Sequence, residues 1–355
     1  MLKKTDYIKI IKTAAGAALA IVLAEALGLR YSSSAGVITL LSIQDTKKET
    51  LRVVARRVIS FVAALVISAV CFRVFGYGAA AIGVFLVIFS AVCIRFRMQE
   101  GISVNTVLML HFAAERSMSV RDIGNEAALL LIGAGIGVIL NLYIPGKQRQ
   151  IIMKQRQIEE KMKAVLGSMA KVLAACCTKS ENGFSLIDGC NVKNQNVEET
   201  LQTAGKWLED LESVLAEGEK DAYEELDNKL LSESKYYIRY MNMRRTQSSI
   251  LSRIKENISH LAKLPPQSCE IADLVEKIKD SFHEYNNALA LLAELERVRQ
   301  SMRNQPLPAA REEFENRAVL YGILLELEQF LTVKKEFVEK LSEEEIGRFW
   351  SDAIL

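Results

Sequence analysis

The stretch Gly36-Val37-Ile38-Thr39-Leu40-Leu41-Ser42-Ile43-Gln44, running directly into Asp45-Thr46-Lys47-Lys48, decides how the first 146 residues are read. Length argues against its crossing a bilayer. The charge-free run from Tyr31 to Gln44 holds 14 residues, about 21 Å of helix at roughly 1.5 Å per residue, against a hydrocarbon core of about 30 Å. Charge placement argues more strongly for a crossing. Lys47, Lys48, Arg52, Arg56 and Arg57 follow within a few residues, and basic residues accumulate in cytoplasmic loops. Read as a span, the stretch makes the chain a six-span protein with both ends in the cytoplasm.

Outward from it, apolar runs lie at Thr13 to Leu29 (interrupted by Glu25), Val58 to Phe72, Ala79 to Ile94, Gly101 to Ala114 and Ala127 to Ile144, the last closed by Pro145-Gly146. The N-terminal lysines before a short apolar run also fit a secretory signal peptide, but a second apolar stretch follows almost at once. Six spans place eleven Lys and Arg on the inner side up to residue 146 and four on the outer side, Arg30, Arg73, Arg116 and Arg121. That asymmetry sets the orientation. The runs begin at Thr13, Tyr31 and Val58, then at Ala79, Gly101 and Ala127, with offsets of 66, 70 and 69 residues. The order long, short, long in each half fits a 3+3 inverted repeat, and chance spacing is the competing explanation. Gly133, Gly135 and Gly137 lack the flanking strand of a dinucleotide loop and read as small residues for close helix packing.

Of the 88 charged residues, 23 fall in residues 1 to 146 and 65 in residues 147 to 355. The division predicts a membrane domain, 1–146, and an α-helical cytoplasmic bundle, 147–355; the fold class is all-α. The second part carries 30 basic and 35 acidic residues, so it offers no electrostatic footprint for nucleic acid. Apolar spacings of three and four predict helices from Lys147, over Val197 to Ala216 and over about Glu219 to Ala262. A fourth carries Ile271, Val275, Ile278, Phe282, Tyr285, Leu289 and Leu292, and a fifth follows Pro306 and Pro308. Ser342 with Glu345 resembles a capping box for a last short helix, and Thr178 to Asn196 reads as a loop. The aromatic and cationic stretch Tyr236 to Arg245 suits either an anionic aromatic ligand or a face packed inside the bundle. Cys71, Cys93, Cys176, Cys177, Cys190 and Cys269 lack ligand-like spacing and are expected reduced in a cytoplasmic domain.

No phosphate loop, metal-ligand spacing or nucleophile arrangement occurs, so the expectation is a non-enzyme with no cofactor and no metal. His260 and His283 read as bundle residues. Asp45 and Glu100 adjoin basic loops and read as interfacial ion pairs. Glu25 and His111 share a depth near the outer ends of spans one and five. An ionisable residue within a span is a functional hypothesis, and this pair is the candidate for proton coupling. Glu25 snorkelling to the interface, with His111 bonded between helices, is the structural alternative. Thr39, Ser42, Gln44, Asn105 and Thr106 on the short spans are the candidate substrate path.

The small-residue first span, Ala35-Gly36-Val37-Ile38 leading to Ser42-Ile43-Gln44-Asp45-Thr46, the basic entry Arg52 to Arg57 and the helical tail together resemble the bacterial aromatic acid exporter family, a relative of fusaric acid resistance proteins. Asp45 stands where members often have proline. The resemblance spans nearly the whole chain. It implies a multi-pass protein of the bacterial inner membrane, assembling as a homo-oligomer and moving small organic acids through the lipid bilayer. A proton-coupled exporter with a regulatory tail is one function expected on this basis; a non-transporting anchor whose tail recruits partners is the other. In a cysteine-free background, a cysteine replacing Lys48 should be shielded from membrane-impermeant reagents in intact cells. External labelling there overturns the six-span reading.

Overall fold

Polar residues punctuate the helices of the first half. Thr46 caps a helix by accepting from the Glu49 amide at 3.2 Å, and Ser119 with Asp122 forms a reciprocal capping box. The computed structural model describes residues 4–143, 146–180, 183–186, 195–229, 235–261 and 263–350. These form two units, Met1–Gly146 with Asp227–Ser232 and Lys147–Leu226 with Glu233–Leu355.

The first unit contains α1 (Lys4–Ala26), α2 (Ser33–Ser42), α3 (Lys47–Phe75), α4 (Ala79–Arg95), a one-turn 3-10 helix (Gln99–Gly101), α5 (Ile102–Glu115) and α6 (Val120–Leu142). Of these, α3 and α6 are long and apolar enough to cross a bilayer, whereas α2 and α4 are shorter apolar helices. The α3 helix starts well before the charge-free run because the Thr46 cap lets it take in Lys47 to Arg57. It ends at Gly76, whose φ of 72° is a backbone state that side chains disfavour. Val62, Val66, Val70 and Val74 form one stripe of α3 and are all exposed. A β-branched apolar surface of this kind suits lipid rather than water.

Packing divides the six helices into two trios. The α1, α2 and α6 helices pack on one another, as do α4, α5 and α3, with α3 against α6 joining the trios. Each trio takes two consecutive helices from one half of the sequence and the third helix of the other half. Exchanging α1, α2 and α3 for α4, α5 and α6 maps one trio onto the other, so the packing has the symmetry of the spacing repeat.

Close approach is set by glycine. A Cβ on Gly133 would lie 2.6 Å from the Ala35 carbonyl oxygen and 2.7 Å from Ile38 Cβ, and one on Gly137 would lie 2.7 Å from Ser42 Cβ. The gap left by these hydrogens lets the Thr39 hydroxyl donate to the Gly133 carbonyl at 2.9 Å.

The second unit has α7 (Gln148–Leu173), strands β1 (Cys177–Ser180) and β2 (Gly183–Leu186), α8 (Gln195–Asn228), α9 (Tyr236–Ser259), α10 (Gln267–Asp280), α11 (Leu289–Arg303), α12 (Arg311–Glu339) and α13 (Glu343–Phe349). The antiparallel hairpin β1–β2 corrects the loop reading at its own residues; the regular structure is otherwise helical, in line with the all-α expectation. Helix boundaries differ too. A single helix, α8, runs through Gly218, because one glycine costs only about 1 kcal/mol and this one makes room for Met241 Sδ. The heptad Ile271 to Leu292 is split in two. Asn286 accepts from the Ala288 amide at 2.7 Å and Asn287 from the Leu289 amide at 3.2 Å, so side chains supply a new helix start. The Ser342–Glu345 capping box is formed.

The thiol expectation is also corrected. Cys177 and Cys269 form a disulfide, with Cα atoms 5.8 Å apart across 92 residues of sequence, and Cys176 is likewise disulfide-bonded. Sequence spacing carries no signal for a pair that only tertiary packing brings together. Cys71 and Cys93 are free and buried; Cys190 lies outside the described residues.

Inside this unit the Tyr236 to Arg245 stretch packs inward. Arg244, 1% exposed, donates to Glu159 at 2.7 Å, to the Tyr240 hydroxyl at 3.0 Å and to Gln247 at 2.9 Å, while Phe282 lies 4.3 Å beneath it. The Lys334 ammonium donates to the Glu284 carbonyl and sits over the Phe337 and Trp350 rings. Burial, reinforced by Arg244 and opposed by Glu159 and Glu284, pushes the Lys334 amine down to about 7.

Two consequences are measurable. Gly133→Val should destabilise the detergent-solubilised protein by about 1–3 kcal/mol through overpacking, whereas Gly135→Val, which meets nothing within 4 Å, should leave the melting temperature near the parent's. Below pH 7 the folded and unfolded bundle both carry the Lys334 proton, and the folded one bears the cost of a buried charge. Above pH 7 the folded chain sheds that proton while the unfolded chain keeps it, so stability rises with pH. Urea unfolding of residues 147–355 should be cooperative. Relative to Lys334→Met, the fragment should gain about 2 kcal/mol from pH 7 to pH 9.

Candidate functional site

Two polar clusters occupy opposite ends of the short helix α2, and each is built on one long helix and one short one. At the start of α2, Glu126 of α6 is 2% exposed. One of its carboxylate oxygens lies 2.7 Å from His111 Nδ1 of α5, and the other accepts from Asn125 at 3.0 Å. The far ring nitrogen of His111 lies 3.4 Å from the Ser34 hydroxyl of α2, and the Tyr31 ring stacks on the imidazole at 4.0 Å. Tyr31 holds a φ of 59° and Arg116, at the end of α5, a φ of 49°. Such left-handed conformations are strained for side-chain-bearing residues. Arg30 joins the cluster through Glu115 at 3.0 Å and through Asp122; Asp122 also accepts from Ser117 and Ser119. Three carboxylates against one arginine leave this end acidic.

At the other end of α2, Arg57 of α3 is 5% exposed. It donates to the Ser42 hydroxyl at 2.8 Å, to the Leu41 carbonyl at 2.9 Å and to the Glu100 carbonyl at 3.0 Å. The Glu100 carboxylate is bonded instead to Arg56 at 2.7 Å. Asn105 of α5 donates to the Arg57 carbonyl at 3.1 Å and to Ser60 at 2.7 Å. Its own oxygen, together with Thr106 Oγ1 and Glu100 Oε2, is buried with no hydrogen-bond partner.

The residues singled out from sequence fall as follows. Thr39 and Ser42 are buried, with hydroxyls donating to helix carbonyls, Thr39 to Ala35 and Gly133 and Ser42 to Ile38. Gln44 donates from its side chain to the Leu41 carbonyl at 3.0 Å. Asn105 is buried and Thr106 half-buried. The structure brings Ser42 and Asn105 together around Arg57, and Thr39 sits on the α2–α6 contact. Glu25 is exposed and accepts from the Ser32 hydroxyl at 3.4 Å; the carboxylate that touches His111 is Glu126. The expected pairing of Glu25 with His111 is therefore corrected. The buried face of α1 belongs to Ala20 and Ala24, which turns Glu25 outward. Glu126 went unnoticed because the apolar run was started one residue later. The capping pair Ser119 and Asp122 would have extended the helix, and the spacing Glu126, Leu130, Gly133, Gly137 then places the carboxylate on the packed face.

Glu126 follows Arg57 by 69 residues, the offset at which the third run of each half begins.

Comparison with known proteins assigns both halves. Residues 6–144 match the family model described as aromatic acid exporter family member 1, and residues 148–335 match the model of the aromatic acid exporter C-terminal domain. A Bacillus subtilis (strain 168) protein, YqjA, is 29% identical over 337 residues, covering 95% of this chain and 98% of its own. A solved structure from Clostridium difficile 630 is 29% identical with a TM-score of 0.40, covering 53% of this chain and 99% of that one. The name of the family is that of exporters rather than of enzymes. The chain belongs to the aromatic acid exporter family, as a membrane protein that carries both of the family's domains.

Proposed function

We propose that the chain exports aromatic or other weak organic acids across the bacterial inner membrane, using six membrane-crossing helices and drawing on the inward proton gradient. Residues 1–146 form the path, with both chain ends in the cytoplasm. Residues 147–355 form a cytoplasmic bundle that regulates or assembles the transporter, and the protein works as a homo-oligomer. The observation that carries the reading is the buried Glu126–His111 pair between α6 and α5. A carboxylate in a membrane helix is costly unless it does something that a neutral residue cannot, and exchanging a proton is such a task. This reading moves the coupling role from Glu25 to Glu126 and keeps His111 as the group that tunes it.

The competing reading is an anchor or scaffold that moves nothing. It draws on Thr39 and Ser42, whose hydroxyls are engaged by helix carbonyls rather than free to line a wet passage. Proteoliposome assays separate the two. Wild type should show counterflow of aromatic carboxylates and, under an imposed proton gradient, net efflux. Glu126→Gln should reduce gradient-driven efflux at least about 100-fold, the low end of the proton-transfer effects seen at side chains, while exchange persists. Glu25→Gln should behave as wild type. Full gradient-driven efflux by folded Glu126→Gln protein ends the coupling proposal; no counterflow of any carboxylate by wild type favours the anchor.

A further inference from the structure

The Arg57 guanidinium is a buried cation with no ion pair of its own, although the Glu100 carboxylate acts on it through space. Buried charges in proteins are normally paired, because a lone charge removed from water is worth several kcal/mol of penalty. Among the described residues no carboxylate lies within ion-pair distance of Arg57. Glu100, the nearest opposite charge named, gives its ion pair to Arg56. The partners Arg57 does have, Ser42, Leu41 and Glu100 through its carbonyl, are all neutral acceptors.

Capping the end of α2 does not explain the choice of residue. Closing the last carbonyls of a helix needs donors, and a neutral donor does that without stranding a charge. A guanidinium has five N–H groups in a planar fork. Three are engaged here, which leaves two for one further acceptor. The surroundings are also incomplete. The Asn105 and Glu100 oxygens beside it lack donors, as expected of a site that is finished by something arriving with its own hydration.

The repeat adds a second, independent line. By the 69-residue offset of the third run, the position equivalent to Arg57 is Glu126. One half therefore carries a buried guanidinium where the other carries a buried carboxyl group. We propose that Arg57 binds the carboxylate of the transported acid, its two unengaged N–H groups taking the carboxylate oxygens at the end of the path opposite to Glu126. The proposal rests on the export reading and deepens it, since it makes the ligand a carboxylate anion and selects against the neutral amide of the same shape.

Benzoate and benzamide are the probes, with the full-length protein purified in detergent and reconstituted in proteoliposomes. Arg57→Gln should raise the half-saturating benzoate concentration in counterflow about tenfold or more, the usual weight of hydrogen bonds to a charged group. It should also abolish the preference for benzoate over benzamide in competition. Arg57→Lys, which keeps the charge and loses the fork, should fall between. Glu100→Gln removes the competing carboxylate and should lower the half-saturating concentration. A purely structural Arg57 would leave the benzoate–benzamide preference where it was.

Arg57→Gln protein with the wild-type melting profile, half-saturation and preference overturns the proposal. Should that variant not fold, Glu100→Gln decides, and unchanged or weaker benzoate binding overturns it. If wild type shows no counterflow, export itself fails while the site is judged separately. A benzoate-dependent rise in wild-type melting temperature that Arg57→Gln lacks and Arg57→Lys shows in part supports it, and no rise overturns it.

Discussion

The distance between α2 and α6 sets the geometry at both polar ends of the membrane unit. Two glycines, Gly133 and Gly137, face α2 where any side chain would collide with the Ala35 carbonyl, Ile38 or Ser42. With backbones that near, Thr39 reaches across to a carbonyl of the neighbouring helix, and the short helix is fixed in rotation and in height. Association in lipid gains little from the hydrophobic effect, so close packing and interhelical hydrogen bonds do the holding. Fixing α2 in turn fixes Ser34 under His111 and Ser42 under Arg57. A ten-residue helix could not hold two sites in register on its own.

The two units treat buried charge in opposite ways. In the bundle, Arg244 is saturated: a carboxylate, a phenol, an amide and two aromatic rings surround it. The whole arrangement is a core that happens to be polar. In the membrane unit Arg57 is hydrogen-bonded without an ion pair of its own, and among the described residues three buried oxygens on the segment from Glu100 to Thr106 have no donors. The same residue type thus serves packing in one place and leaves an opening for chemistry in the other. The charge of the acceptors distinguishes them where burial and the number of bonds do not: Arg244 bonds a carboxylate, Arg57 three neutral oxygens.

Helices were readable wherever pattern and caps agreed. Ser342 with Glu345 gave a true helix start, and the glycines of the sixth run were recognisable as packing residues. Pattern failed where side chains override periodicity. The heptad through Phe282 and Tyr285 looks continuous, but Asn286 and Asn287 capture amides and restart the helix. The Cys177–Cys269 link depends on a meeting 92 residues apart in sequence, which no local signal encodes. At the site, short polar segments pointed to α2 and α5. The decisive charges, Arg57 and Glu126, lay just outside the apolar runs, because charge-free windows are drawn to exclude such residues. The aligned repeat recovers them, since a 69-residue offset pairs them at once.

The shortness of α2 has an electrical consequence. Ser34 and Ser42 touch the two clusters from one helix, and eight residues of rise separate them by about 12 Å, well under the roughly 30 Å of a hydrocarbon core. Where solvent reaches in as far as each cluster, the membrane voltage falls across that thin segment instead of across the full bilayer. A single charge carried the whole way through the potential exchanges about 2.3 kcal/mol per 100 mV, and here nearly all of it would be felt within one short step. Movement of an anion past α2 would then be steeply voltage-dependent, while binding at either end would be almost indifferent to voltage.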